Sequence, residues 1–425
     1  MKLDKWVTRR ISGVLPQLMA VEPVMALHGP RSVGKSTILR EFARDAGVEV
    51  VDLDDVDVRE AVARNLRSVV SEATPLCVDE YQRVPEILDA LKARLNAEGS
   101  SPGTALITGS TRQDALPSTA QALTGRLHSL TIWPLSQGEI GGVHENFLET
   151  LIQDPQRLVA SLGSSGSTRA EYVDRVCAGG FPLALKREGP DRARWFDDFV
   201  QASLERDALE LGRIRERQAL ADLLNLLASQ TGQVLNIVKA SEAIGVARAT
   251  AESYLRLLED LFLVVRLPAW GKTLRSRVSA KPKIHLVDTG LAARLLRMTP
   301  HKLAGLDPAT LTDFGHLLET FVVGELRKQV SWLSEPISMG HWRTSNGSEV
   351  DIVMELADGR VIGVEVKSSE RALSDDFRGL RDLRSTLGSR FHAGVVLTAG
   401  PRPYTLEEGL HVLPLDSLWT TVSAP

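Results

Sequence analysis

Between Glu22 and Trp133 short apolar runs alternate with stretches of helical spacing. The runs "PVMALHG", "VEVVDLDD", "TPLCVDE", "TALITGS" and "HSLTIWPLS" are separated by helix-patterned segments, the first of which starts at Lys35 and stops at Gly47. Strands that are apolar throughout, alternating with helices, predict an α/β domain with a parallel sheet covered on both faces. Past it, "SLGSSGSTRA" (Ser161 to Ala170) reads as a flexible loop in a mostly helical region and marks a domain edge. From Trp195 to Leu267 the chain is helix-rich. Within it "LNIVKASEAIGVARATAESYLRLLEDLFLVVRLP" orders a helix, a turn at Gly245, a second helix and an apolar strand, the order of a winged helix-turn-helix. Tyr254, Leu255, Leu257, Leu258, Leu261 and Phe262 have helical core spacing. The last part predicts a strand ("KIHLVD"), a helix after Asp313, a hairpin in "EVDIVMELADGRVIGVEVKSS" and a strand in "FHAGVVLTAG", together a small α/β domain. The expected divisions are therefore residues 1–145, 146–195, 196–270 and 271–425.

The first run leads directly into "LHGPRSVGKST". A glycine, four residues, then Gly-Lys-Ser between a strand and a helix is the pattern of a phosphate-binding P-loop. Backbone N–H groups cradle phosphates, the lysine meets the outer phosphates and a hydroxyl ligates Mg²⁺. Gly29, Pro30, Arg31, Ser32, Val33, Gly34, Lys35, Ser36 and Thr37 are thus the expected nucleotide-binding residues. The strand "PLCVDEYQ" ends in two acids: Asp79 to hold Mg²⁺ and Glu80 to polarise the attacking water, the division of labour that phosphoryl transfer needs. Ser110 ends a third strand, where its hydroxyl falls beside a γ-phosphate. A small-molecule kinase would need in addition a base for a bound hydroxyl and an arginine-rich lid, and no segment supplies these clearly.

Composition narrows the setting. The 425 residues carry a formal net charge of −4, so nothing drives the whole chain toward nucleic acid or an anionic membrane, and contact with DNA rests on local patches. Cys77 and Cys177 stand in no metal-binding spacing, which disfavours a disulfide framework and fits a reducing, cytoplasmic setting. No segment reaches about 18 consecutive apolar residues, so no membrane partner is expected. One patch is strongly basic: Arg266, Lys272, Arg275, Arg277, Lys281 and Lys283 lie in "RLPAWGKTLRSRVSAKPK" with no acid among them. Such a tract neutralises DNA phosphates or is simply solvated, and the sequence leaves both open, as it does for Arg248 at the start of the second helix.

In the hairpin, side chains alternate, so Asp351, Val353 and Glu355 share one face of the first strand and Gly363, Glu365 and Lys367 one face of the second. A three-residue "ADG" loop with Gly359 left-handed pairs Leu356 with Arg360 and sets Asp351 opposite Glu365. Two like charges facing each other invite a divalent cation, Mg²⁺ or Mn²⁺, with Lys367 beside the attacking water.

Taken in order, "GPRSVGKST", "DLDD", "VDEYQRVPEILDALK", "ITGSTR", "LTGRLHSLTIWPLS", "GGFPLAL", "LERD", "LLASQTGQVLN", "KPKIHLVDTGL", "LLETFVVGELRK", "WRTSNGSEVDIV" and "VEVKSS" resemble the AAA+ ATPases of the bacterial and archaeal clade that carry a fused C-terminal domain of undefined function. The resemblance implies ATP hydrolysis, with Lys35 and Ser36 or Thr37 at phosphate and Mg²⁺, Asp79 and Glu80 as the acidic pair and Ser110 as polar sensor. Arg126, in its "GR", becomes either an arginine finger, acting at its own site or in a neighbouring copy of a homo-oligomer, or an ordinary ion pair. Asp351 with Glu365-Val366-Lys367 resembles the PD-(D/E)xK nucleases, whose further acid comes from a preceding helix; Glu319 is the candidate and Glu325 the fallback, with Glu349 as helper. The expected function is Mg²⁺-dependent ATP hydrolysis coupled to DNA binding or processing, with cleavage by the C-terminal domain left open. The alternative is an oligomeric ATP-dependent switch whose C-terminal domain only binds a partner.

Overall fold

The computed structural model describes residues 2–3, 6–111, 123–207, 217–271, 273, 280–344 and 346–422. Five strands, β1 (Val24–His28), β2 (Val50–Asp52), β3 (Leu76–Asp79), β4 (Ala105–Gly109) and β5 (Leu127–Thr131), form a parallel sheet in the order β2-β3-β4-β1-β5. Alternate side chains serve two cores. Val24 and Ala26 of β1 pack with Val78 and Ile107 on one face, while Met25 and Leu27 pack with Cys77 and Leu106 on the other. This two-sided burial is why these strands read as continuous apolar runs. Helix α1 (Lys35–Ala46) follows the P-loop and ends at Gly47, as its sequence predicts.

The order of elements in the middle region also matches its pattern. β6 (Gln233–Val234) precedes α2 (Ile237–Ala243), a turn at Gly245, α3 (Arg248–Asp260), β7 (Val264–Leu267) and β8 (Lys283–Leu286). The three strands form an antiparallel sheet in the order β6-β8-β7, and the predicted core side chains of α3 and the turn after it are buried. Lys272, Arg275 and Arg277 of the basic tract lie outside the described residues. Arg248 is paired with Glu252 at 2.8 Å, and Arg266 with Glu259.

Helix α4 (Pro308–Trp332) starts six residues before the expected start after Asp313, because Asp307 caps it by accepting from the Thr310 N–H at 3.1 Å. The C-terminal sheet runs β13 (Tyr404–Glu407), β14 (Leu410–Pro414), β12 (Phe391–Thr398), β11 (Val361–Lys367), β10 (Glu349–Leu356), β9 (Ile337–Arg343). The hairpin register is the one its loop predicts: Leu356 bonds Arg360, Ile352 pairs Val364, and Gly359 is left-handed with φ 84°. One face of this sheet (Ile352, Met354, Ile362, Val364) joins a core that continues into α4, the middle region and the first sheet; Val353 and Val361 on the other face pack with helix α5 (Arg378–Leu387).

The Ser/Gly stretch is not the free linker its composition suggests. The Ser165 N–H donates to the Pro401 carbonyl at 2.7 Å and Ser167 Oγ donates to Asp416 at 2.8 Å, which docks it on the C-terminal sheet. Small side chains suit a chain that approaches another backbone closely as well as they suit a flexible one. "GGFPLAL" and "HLVDTGL" meet likewise: buried Asp288 accepts from the Gly180 N–H at 2.6 Å while capping the helix Thr289–Leu295.

Candidate functional site

The P-loop leaves β1 at the carboxyl edge of the first sheet. Gly29 passes so close to the next strand segment that a Cβ there would lie 2.2 Å from the Ile132 carbonyl oxygen, so only glycine fits. Lys35 is buried, its Nζ donating to the Gly29 and Pro30 carbonyls at 2.9 Å each. The loop opens on a cavity of about 480 Å³ lined by Arg31 to Thr37 and Glu80 together with Trp6, Val7, Leu135, Pro182 and Leu183. The lining thus combines the phosphate-binding loop with apolar side chains. The loop and its buried lysine fit a nucleoside triphosphate with Mg²⁺, for which Lys35 and the loop amides would meet phosphate and Ser36 or Thr37 with Asp79 would hold the ion.

β4 lies between β1 and β3, which brings Ser110 to the acidic pair. Thr108 Oγ1 donates to Asp79, and the Glu80 N–H donates to the same hydroxyl oxygen at 3.3 Å. Gln82 donates to Glu80 and, at 3.0 Å, to Ser110 Oγ. Glu80 has a left-handed backbone (φ 54°), an unfavourable state for a side chain with a Cβ that is typical of functional turns. Arg126 stands elsewhere. It lies in the turn before β5, its carbonyl accepting from the Val24 N–H, so the length of β1, about 16 Å of strand, separates it from its own P-loop. Its guanidinium donates to Asn96 at 2.6 Å.

The C-terminal acids converge. Asp351, Glu349, Glu365, Lys367 and Glu319 line a groove of about 610 Å³. Lys283, which its sequence leaves either to DNA phosphates or to solvent, is instead inside this group with 3% of its side chain exposed. Its Nζ lies 2.9 Å from Glu319 Oε1, 2.8 Å from Glu349 Oε1 and 3.0 Å from Asp351 Oδ1. The physical reason is pairing: β8 is held between β6 and β7, which points this side chain inward where three carboxylates compensate its burial. Burial alone would lower the Lys283 pKa; the charges of Asp351, Glu319 and Glu349 raise it instead. Burial pushes Glu319 up to about 8, with Asp351 adding to the effect. Burial also drives Glu365 well above the usual carboxylate range, helped by Asp351, although Lys367 is 3.2 Å away. Against its own burial, Asp351 is held low by Lys283 and by the Val366 N–H it accepts at 3.1 Å. As placed, these residues do not fit a divalent ion: an ammonium fills the space, and among the described residues no group of three or more His, Cys, Asp or Glu is arranged to hold a metal. Glu325, the fallback acid, is not part of this group.

Three family models match the chain: an AAA domain over residues 21–141, a domain of unknown function (DUF8612) over 169–302 and a domain of unknown function (DUF4143) over 314–418. The N-terminal unit is a P-loop ATPase domain of the AAA type. The chain is 26% identical over 404 residues to uncharacterized proteins of Mycobacterium tuberculosis and Mycobacterium bovis, covering 94% of this chain and 82% of each relative. An uncharacterized protein of Haemophilus influenzae is 24% identical over 302 residues, 65% of this chain and 70% of that protein. Among solved structures, a Walker-type ATPase of Pyrococcus abyssi aligns with TM-score 0.42 and 16% identity over 69% of this chain and 99% of its own. The Thermotoga maritima RuvB Holliday junction branch migration motor aligns with TM-score 0.30 and 16% identity over 70% and 97%. At these scores the likeness adds nothing to the strand order itself.

A polar chain joins the nucleotide pocket of the ATPase domain to α4. Buried Arg9 donates to the Val33 carbonyl of the P-loop at 2.6 Å, to the Trp133 carbonyl at 2.8 Å and to Glu139 at 2.9 Å. Glu139 and Ser136 form a capping box on the helix Gln137–Gly141, and Ser136 Oγ donates to Glu145 at 2.5 Å. The Gln137 N–H of that helix donates to Glu325 of α4 at 2.8 Å, and Lys328 returns a bond to the Leu135 carbonyl at 3.0 Å. Six residues before Glu325 the same helix carries Glu319, about 9 Å along the axis. Sequence reading missed Arg9, Glu139 and Glu145, whose partners are remote in the chain; the only trace was a capping-box spacing in "SQGE". Among the described residues no helix is long and apolar enough to cross a membrane.

Proposed function

We propose that this protein couples Mg²⁺-dependent ATP hydrolysis to DNA binding or processing, with α4 carrying the state of the nucleotide pocket to the C-terminal carboxylate group. The observation that carries the reading is the pair of contacts from Glu325 and Lys328 to the Ser136 helix and its approach, on a helix whose earlier turn holds Glu319. Bound ATP and Mg²⁺ would supply the phosphoryl group and its counter-charge. Lys35 and the loop amides hold the phosphates, Ser36 or Thr37 and Asp79 orient the ion, Glu80 accepts a proton from water, and Ser110 senses the outer phosphate. The helix, turn, helix and strands from Ile237 to Leu286 are read as a winged helix, which with the basic tract before β8 supplies the DNA contact. Arg126 serves a neighbouring copy, since its own pocket is at the other edge of the sheet, and the active form is a homo-oligomer.

Lys283 among the acids favours a second reading, in which the C-terminal domain binds a partner without cutting and ATP turnover works a regulatory switch. The steady-state ATPase rate, with and without single-stranded and double-stranded DNA at two salt concentrations and with Lys35→Ala as control, separates the two. Salt-sensitive stimulation by DNA supports coupling. A rate indifferent to DNA overturns it and leaves the switch.

A further inference from the structure

A lysine ammonium has three N–H donors and no acceptor. At Lys283 each finds a carboxylate: Glu319, Glu349 and Asp351, all between 2.8 and 3.0 Å. These acids come from three separate places, the helix α4, the first residue of β10 and its third, and the cation from a fourth, the strand β8. Strand alternation alone sets Glu349 beside Asp351, but nothing in chain connectivity brings Glu319 or Lys283 to them. A buried, fully satisfied ammonium at the meeting point of three carboxylates is what a single bound cation would be, supplied by the chain itself.

We propose that Lys283 is a tethered cation that closes the Asp351 centre to divalent metal. The inference rests on reading the C-terminal acids as a nuclease-like centre and says how that centre is kept off. The fit is chemical as well as steric. Carboxylate oxygens around a divalent ion sit at roughly 2.0–2.6 Å from it, closer than they sit to this ammonium, and both cannot occupy the same point. The ion pairs also tie the helix-turn-helix region, through β8, to both the hairpin and α4.

The test uses the full chain free of nucleotide, with Mn²⁺ as the probe, read by electron paramagnetic resonance and by the melting temperature. Wild type and Lys283→Arg, which keeps a cation, should take up no Mn²⁺ that depends on Asp351. Lys283→Ala should gain one such site, at least about tenfold tighter than any in wild type, a difference of about 1.4 kcal/mol. Mn²⁺ should raise its melting temperature and not that of wild type, and adding Asp351→Asn should remove the gain. If Lys283→Ala is unfolded without metal, Mn²⁺ should restore its melting transition. Asp351-dependent Mn²⁺ binding by wild type overturns the inference, as does a Lys283→Ala protein that neither gains a site nor is restored by Mn²⁺. DNA cleavage is scored separately. Lys283→Ala that binds Mn²⁺ through Asp351 yet leaves DNA intact upholds the tethered cation and ends the nuclease reading.

Discussion

The backbone N–H of Gln137 donates to Glu325 at 2.8 Å, across 188 positions of sequence, in a buried setting. Lys328, one turn further along α4, holds Glu325 at 2.6 Å and reaches the Leu135 carbonyl. One helix thus grips the segment that leaves β5 of the ATPase domain, the same segment that Arg9 ties to the P-loop.

Glu325→Gln keeps an acceptor oxygen and removes the charge. A hydrogen bond to a charged group contributes about 1.5–3 kcal/mol, so denaturant unfolding should show a loss of that order. Basal ATP turnover should persist while the response of turnover to DNA is lost. An unchanged DNA response in a folded Glu325→Gln protein would remove α4 as the link.

Glu80 is the expected base and Gln82 its donor. Glu80→Gln should bind nucleotide as wild type does and lower kcat by about 100-fold or more, the usual contribution of a positioned base. Loss of nucleotide binding along with turnover, measured by titration calorimetry, would place Glu80 in binding instead.

Trp6 lines the same pocket as the P-loop and donates to Glu41 at 3.1 Å. Stacking of a base on an aromatic ring is worth about 1–3 kcal/mol. Trp6→Ala should therefore raise KM for ATP by roughly 5- to 100-fold with kcat little changed. An unchanged KM would remove the ring from the base site.

Burial pushes Glu145 up to about 7 against its ordinary 4.5, while the Ser136 hydroxyl works in the opposite direction. A carboxyl with a raised folded-state pKa binds its proton more tightly folded than unfolded. Its contribution is therefore greatest below pH 4.5 and is lost as pH rises to about 7. Glu145→Gln should flatten the decline in stability across that window and gain about 1–3 kcal/mol at pH 8 relative to wild type. The check is urea unfolding at several pH values; parallel pH profiles for the two proteins would show that Glu145 does not titrate there.

Much of this was legible before any coordinates. The P-loop and the acid pair rest on short segments whose roles follow from local geometry: a glycine turn between strand and helix, and a strand that ends in two carboxylates. The hairpin was legible in register as well, because side chains alternate and a three-residue loop with a left-handed glycine admits one pairing. Each of these is decided within about twenty residues.

Where charges separated by long stretches of chain come to rest is a matter of packing alone. Lys283 reads as one more base of a tract that either meets DNA phosphates or is solvated, and its neighbours in sequence say nothing of three acids that lie 36, 66 and 68 positions further on. Arg9 reads as an ordinary polar residue, and Glu325 as a fallback acid for the C-terminal centre, until packing sets Arg9 on the P-loop and Glu325 on the segment that leaves β5. Burial makes an uncompensated charge costly, so the fold must bring a partner to it, and which partner it brings depends on the whole packing of the chain. The local sequence pattern is enough for the strand–turn–helix of the P-loop and for the register of the hairpin; packing sets which cation sits among the C-terminal acids and which helix joins them to the ATPase domain.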